Sequence, residues 1–261
     1  MNELLAAFTP NKAISKNTAM LLVGVEVALF MLLWMFSPFV FLPSIKETYA
    51  AFIDQWQQGL GGELLTSLFA NVEAIGIATA ISLGLAYLSV IEAFRPVVQL
   101  ISKFRFLSMV GLSFVFTVLT SSQHALKLSM LVFTITVFYV TGMVDVIAAV
   151  PKEQYDLART LRMGPWRVMW EVVVLGQIDK AFDVLRQNAA IGWMMLTMIE
   201  GMTRGDGGVG AMLLNANKHF YLNAVMAIQI TILLMGLGQD WLIGGGKRLF
   251  CPYADLAMER R

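Results

Sequence analysis

Apolar runs of about twenty residues recur along this chain, at residues 20–41, 64–91, 126–150 and 224–243, with shorter runs at 106–119 and 187–202. A helix rises 1.5 Å per residue, so about 20 residues cross the roughly 30 Å of hydrocarbon in a bilayer. A soluble helical core has no reason to repeat that length. The chain is 57% hydrophobic and 14% charged, against about 25% charged in an ordinary soluble domain. The expected fold is therefore all-α, an integral membrane protein of six transmembrane helices.

The first run follows a polar tail that carries Lys12 and Lys16. It is too long for the core of a secretory signal and no small-residue cleavage pattern follows, so it is expected to be retained as a membrane helix. Leu42, Pro43 and Ser44 end it, and 45–58 then has the pattern of a short amphipathic helix whose Tyr49, Phe52 and Trp56 suit a membrane interface. The second run carries Ala70, Ala74, Gly76, Ala78 and Ala80, which permit close helix packing. From 151 to 186 the chain turns charged and belongs in water. The expected organisation is a cytoplasmic tail at 1–19, a transmembrane domain at 20–250 containing this 151–186 segment, and a second cytoplasmic tail at 251–261.

Six crossings put both ends on one side, and the distribution of Lys and Arg says which. Fifteen of the nineteen fall in the first tail, in the connector holding Arg95, Lys103 and Arg105, in 151–186, and at the C-terminal end as Lys247, Arg248, Arg260 and Arg261. Only Lys46, Lys127, Arg204 and Lys218 fall on the opposite side. By the positive-inside rule the tails and the charged segment face the cytoplasm, which in a bacterial inner membrane leaves the other face periplasmic.

Several functions are disfavoured by what the chain lacks. Cys251 is the only cysteine, and His124 and His219 have no Cys or carboxylate neighbours at ligand spacing, so a metal or haem site has little support. Gly205-Asp206-Gly207-Gly208-Val209-Gly210 satisfies G-x-G-x-x-G, but no strand precedes it and it lies on the outer side, so a flexible turn entering a short helix is expected. Gly244-Gly245-Gly246-Lys247-Arg248 lacks the first glycine and the Ser/Thr of a phosphate loop. The chain is thus expected to be no enzyme, to bind no cofactor or nucleic acid, and to leave any ATP to a partner. Glu26, Glu73 and Glu200 lie in or near apolar runs, where a carboxylate should face a bundle interior or water.

Within the charged segment, 153–162 has a helical pattern with Tyr155, Leu157, Ala158 and Leu161, stopped by Gly164. A second amphipathic stretch starts at Pro165, a residue suited to a first helical turn, and runs through Trp166 to Val174. Two short helices joined at a glycine make a protruding knob. With no nucleophile and base together in it, contact with another protein is its expected task, and Tyr155, Ala158, Leu161 and Trp166 form the expected apolar face.

The run from Val150 through Tyr155, Asp156, Ala158, Arg159 and Leu161 to Gly164 resembles the coupling motif of binding-protein-dependent ABC importer permeases, Glu-Ala-Ala followed by three residues and Gly, in degenerate form. The likeness extends over about 42–250 and is greatest to the nitrate, taurine and aliphatic-sulfonate importer family. It includes Leu42-Pro43-Ser44, Leu185-Arg186, Trp193, Glu200, Gly208-Val209-Gly210, Asp240 and Lys247-Arg248-Leu249. The resemblance implies a translocation path for a small anion or small organic solute and a pair of permease subunits. Beside these it implies cytoplasmic ABC ATPases and a periplasmic or lipid-anchored solute-binding protein. It implies ATPase coupling through Tyr155, Asp156, Ala158, Arg159, Leu161, Gly164 and Trp166, and a path-lining or structural role for Trp193 and Glu200. The chain departs from the family in having no proline between Arg105 and Ser121, Leu175-Gly176 in place of Leu-Pro, and Cys251-Pro252 in place of a tail tryptophan. A secondary carrier, or a scaffold that has lost transport, are the alternatives; no internal repeat favours the first.

Overall fold

The computed structural model describes residues 15–36, 42–203 and 205–252. Lys12, Arg204, Arg260 and Arg261, which enter the charge asymmetry, lie outside the described residues. Every regular element among the described residues is helical. In chain order these are α1 (Lys16–Met35), α2 (Ile45–Gln57), α3 (Leu60–Leu88), α4 (Arg95–Lys103), a 3-10 turn (Phe104–Phe106), α5 (Met109–Leu119) and α6 (Gln123–Ala148). There follow α7 (Lys152–Thr160), α8 (Pro165–Val168), a π-helical turn (Met169–Val174), a 3-10 turn (Leu175–Gln177), α9 (Ile178–Thr203), α10 (Val209–Lys218) and α11 (Leu222–Phe250).

Four helices, α1, α3, α6 and α11, are long and apolar enough to cross a membrane. The surface agrees: Phe69, Val72, Phe114, Val118, Leu234 and Trp241 are among many large apolar side chains that face outward. Water would penalise such a surface, whereas hydrocarbon does not, so the exterior is built for lipid. The two remaining expected crossings, 106–119 and 187–202, are not among these four. Residues 106–119 yield only the 11-residue α5, bent by 111° from the helix before it, and the two together make one broken element long enough to cross. The expected span at 187–202 begins nine residues earlier, as the 26-residue α9, whose first turns hold Asp179, Lys180, Asp183 and Arg186. The charged segment of 151–186 is thus partly the base of this helix.

The core lies where α3, α6 and α9 meet, with α10 and α11 closing it. Ala70, Ala74 and Ala78, one turn apart on α3, are buried, and Met130, Leu131, Ile135, Leu196, Ile199 and Ile228 fill the space they leave. The expected close packing therefore uses three of the five small residues; Gly76 and Ala80 face outward. α6 and α9 also touch at a glycine, since a Cβ on Gly142 would come within 2.9 Å of Val184.

Cross-helix bonds set the directions. Ser82 Oγ donates to the Thr136 carbonyl at 3.3 Å and Tyr139 Oη to the Ala181 carbonyl at 3.2 Å. Phe182 stacks on Phe250 with ring centres 5.9 Å apart, and Lys247 Nζ binds Asp183 at 2.7 Å. At the other end Ser67 Oγ reaches Glu200. α3, α6 and α11 therefore run one way and α9 returns against them. The end of α6, the knob, the start of α9 and the end of α11 share one face of the bundle. α2, capped by a reciprocal Ser44–Glu47 box, packs on α11.

Candidate functional site

Three places carry polar or exposed groups that packing alone does not require. The first is the knob between α6 and α9. Glu153 in the first turn of α7 and Arg159 in its last complement the helix dipole. The helix ends in a Schellman arrangement: Met163 N–H donates to the Ala158 carbonyl at 3.2 Å and Arg162 N–H to the Arg159 carbonyl at 2.9 Å. The chain reverses at Arg162, which holds the left-handed conformation at φ 54°. Gly164, the expected turn residue, is extended at φ −67°, ψ 158°, and a Cβ there would meet nothing within 4 Å. It serves as the N-cap residue before Pro165 and needs none of glycine's freedom.

The expected contact face is rotated. Ala158 is buried and Tyr155 half-buried, facing the knob's own packing, and burial raises the pKa of the Tyr155 hydroxyl. Leu161, 63% exposed, and Trp166, 72% exposed, do point outward, joined by Leu157 and by Trp170 of the π turn. Asp156 and Arg159 pair with each other at 3.3 Å in full exposure, an interaction worth under about 1 kcal/mol. A recess of about 310 Å³ opens among Leu157, Leu161, Met163, Glu171 and Val172. The face consists of Leu157, Leu161, Trp166 and Trp170; its two tryptophans are of a residue type enriched in protein-binding hot spots.

The second place is a charged network at the opposite end of the bundle. Glu200, fully buried, accepts from Ser67 Oγ at 2.8 Å on one oxygen and 2.9 Å on the other, and from Gly210 N–H at 2.9 Å. Lys127, also buried, lies 3.5 Å from Glu200 and 2.9 Å from Asp206. His124 Nδ1 is 3.2 Å from Asp206, and its Nε2 is 3.6 Å from Glu73. Ser67 in turn accepts from Val209 N–H at 2.9 Å, and Glu63 accepts from Gly208 N–H. Burial pushes the Asp206 carboxyl up, but the hydrogen bond and charge of Lys127, helped by His124, outweigh it and hold the group below the usual aspartate range.

These contacts explain the glycine-rich stretch, which forms the expected turn into the short helix α10. Gly208 has φ +104°, and a Cβ there would collide with the Glu200 carboxylate; a Cβ on Gly210 would come within 2.7 Å of the Thr197 Cα. The glycines let the backbone close over Glu200, so this carboxylate seats the 205–208 loop. Of the three apolar-run carboxylates, Glu200 is paired inside the bundle, Glu73 is half-exposed beside His124, and Glu26 stands on the outward surface of α1. Lys127 was missed as a site residue, although a lysine two residues into an apolar run is itself a signal.

The third place is a groove of about 510 Å³ between α9 and α11, lined by Trp193, Gln229, Ile230, Leu233, Gly236 and Asp240. Trp193 Nε1 donates to Gln239 Oε1 at 2.6 Å, and Asn71 Nδ2 donates to the same oxygen at 3.0 Å. Asp240 is held by Arg186 through two bonds of 2.8 and 2.5 Å. Trp193 and Glu200, seven residues apart on one helix, thus do different things: Trp193 borders the groove, whereas Glu200 is sealed from it. Among the described residues no cluster of His, Cys, Asp and Glu is arranged to hold a metal ion. No protein-family model matches this chain, and no curated protein matches it.

Proposed function

We propose that this chain is the membrane-spanning permease subunit of an ATP-driven importer, working as a pair beside two cytoplasmic ABC ATPases and an external solute-binding protein. The observation that carries the reading is the knob. Four large apolar side chains, Leu157, Leu161, Trp166 and Trp170, face outward on a charged segment that joins two long packed helices. Apolar groups held out in water on a stiff mount are what a docking contact with a soluble partner needs. The segment contains no pair of groups suited to catalysis, and the work of ATP falls to the partner.

In this reading α1, α3, the bent pair α4–α5, α6, α9 and α11 make six crossings of a bacterial inner membrane. Both chain ends and the knob then lie in the cytoplasm, on the side holding thirteen of the nineteen Lys and Arg, with Lys103 and Arg105 of the expected cytoplasmic connector lying within the bent crossing. The groove between α9 and α11 borders the path for a small anion or small organic solute. Gln229 offers polar atoms within its apolar wall, Trp193 contributes its ring, and the Arg186–Asp240 pair stands at its cytoplasmic end.

The test is co-purification with the candidate ATPase in mild detergent. Leu161→Asp and Trp166→Ala change exposed side chains and leave the packing of α7 intact, so loss of the ATPase from both with wild-type thermal stability is the expected result. Ala158→Asp would bury a charge inside the knob and test folding instead. Recovery of the ATPase indifferent to both exposed changes would refute coupling through this segment, and a membrane scaffold of the same fold would then be the better reading.

A further inference from the structure

α1 is the one long helix that the bundle does not hold: none of its apolar stretch is buried, and the indole of Trp34, donating to the Pro43 carbonyl at 3.0 Å, tethers its far end. Glu26 lies at its middle, 10 residues after Lys16 and 9 before Met35, about 15 Å from either end. It has no hydrogen bond or ion pair among the described residues. A carboxylate at this depth is strongly disfavoured against lipid and belongs against protein.

A cation with the complementary problem lies elsewhere on the surface. The break between α4 and α5 sits against the middle of α6: Phe104 stacks on Phe133 at 6.5 Å, and Thr134 Oγ1 contacts Met109 Sδ at 3.1 Å. Arg105 lies at this break and shares a small cavity with Phe133, Thr134, Val137 and Phe138. Those four are the eleventh to sixteenth residues of the 26-residue α6, about 15 to 22 Å from its start. Arg105 faces outward with its guanidinium over the Phe106 ring at 5.1 Å, and no described carboxylate lies within 4.0 Å of it. Arginine so placed favours a carboxylate, which it binds through two parallel N–H donors.

We infer that Glu26 of one copy pairs with Arg105 of a second copy of this chain, and Arg105 with Glu26 in return. An acid and a base, both unpaired, both near mid-depth and on separate outward surfaces of one molecule, form a self-complementary set: across a two-fold axis each finds the other. The occupant of the free face of α1 is then the α4–α5 break of the partner subunit. This assignment needs the chain to span a membrane and does not depend on transport.

Charge exchange between two differently tagged copies tests it. Chains carrying Glu26→Lys alone, or Arg105→Glu alone, place like charges together in their own pairs and should lose self-association by about tenfold or more. Co-expressed, the two variants restore both bridges, Lys to Glu and Arg to Glu, and should recover each other near the wild-type level. Oxidative cross-linking of Glu26→Cys in one copy with Arg105→Cys in the other, in a Cys251→Ser background, supplies a readout that needs no charge reversal. Wild-type self-association of each single variant, or failure of the mixture to recover it together with no cross-link between copies, overturns the inference and leaves Glu26 facing lipid or a different protein.

Discussion

Arg162 and Gly208 both hold positive φ, and only one of them has the residue type that conformation favours. An L-residue in the left-handed region costs about 1 kcal/mol or more, so Arg162→Gly should stabilise the knob by about that amount, measured as slower hydrogen exchange over α7. Gly164→Ala, by contrast, should change little, because its backbone is ordinary. Gly208→Ala combines a strained φ with a collision at Glu200 and should cost about 3 kcal/mol or more in detergent thermal unfolding. Lys127→Met should cost about 3 to 5 kcal/mol, since it leaves the Glu200 charge buried without its cation. Sequence logic chose Gly164 because glycine beside proline is the usual punctuation. The Schellman bonds close two residues earlier, at Arg162, a residue type that carries no turn signal. Glu200 was recognisable as a charge in an apolar run, but its hydroxyl partner Ser67 lies 133 residues away, and no local pattern carries such a pairing.

At the level of elements, the long apolar runs were legible because a membrane crossing imposes a length, and α3, α6 and α11 fall where the runs do. What failed to show was the phase of α7. Its helical period was evident, but which side faces inward depends on packing against the π turn, and this buries Ala158 while leaving Leu157 outside. The expected third span was equally opaque, since a run of 106–119 does not disclose a 111° bend before it. The 205–208 loop yields a pH prediction. Asp206 is held below its ordinary value, so its share of stability is fully present above the ordinary aspartate pKa of 3.8 and is lost as pH falls through the lower folded value. Protease sensitivity at 205–208 should therefore stay flat from pH 7 to about pH 4 and rise below it, and Asp206→Asn should remove that Asp206-dependent rise.

For the whole molecule, the directions of α3, α6, α9 and α11 divide its surface into two ends that can be labelled separately. Cys251 is buried, at 1% exposure, so the native chain offers little background to a thiol reagent. A cysteine at Trp166 should react with a membrane-impermeant maleimide only in inside-out vesicles, and one at Phe220, 83% exposed, only in right-side-out cells. Reaction of both from the same side would contradict the orientation that the lysines and arginines imply.

α9 joins these two ends without interruption. It is 26 residues and about 39 Å long, rooted beside the knob through the π and 3-10 turns and gripping the 205–208 loop through Glu200. Mechanically it is a push-rod with a compliant coupling at its foot: a tilt of about 5° there would swing the far tip by about 3 Å. That distance exceeds the reach of the hydrogen bonds at Glu200. Any force on the knob stiff enough to tilt this rod is therefore delivered to the loop at the other end of the bundle, and the π turn sets how much of it is absorbed on the way.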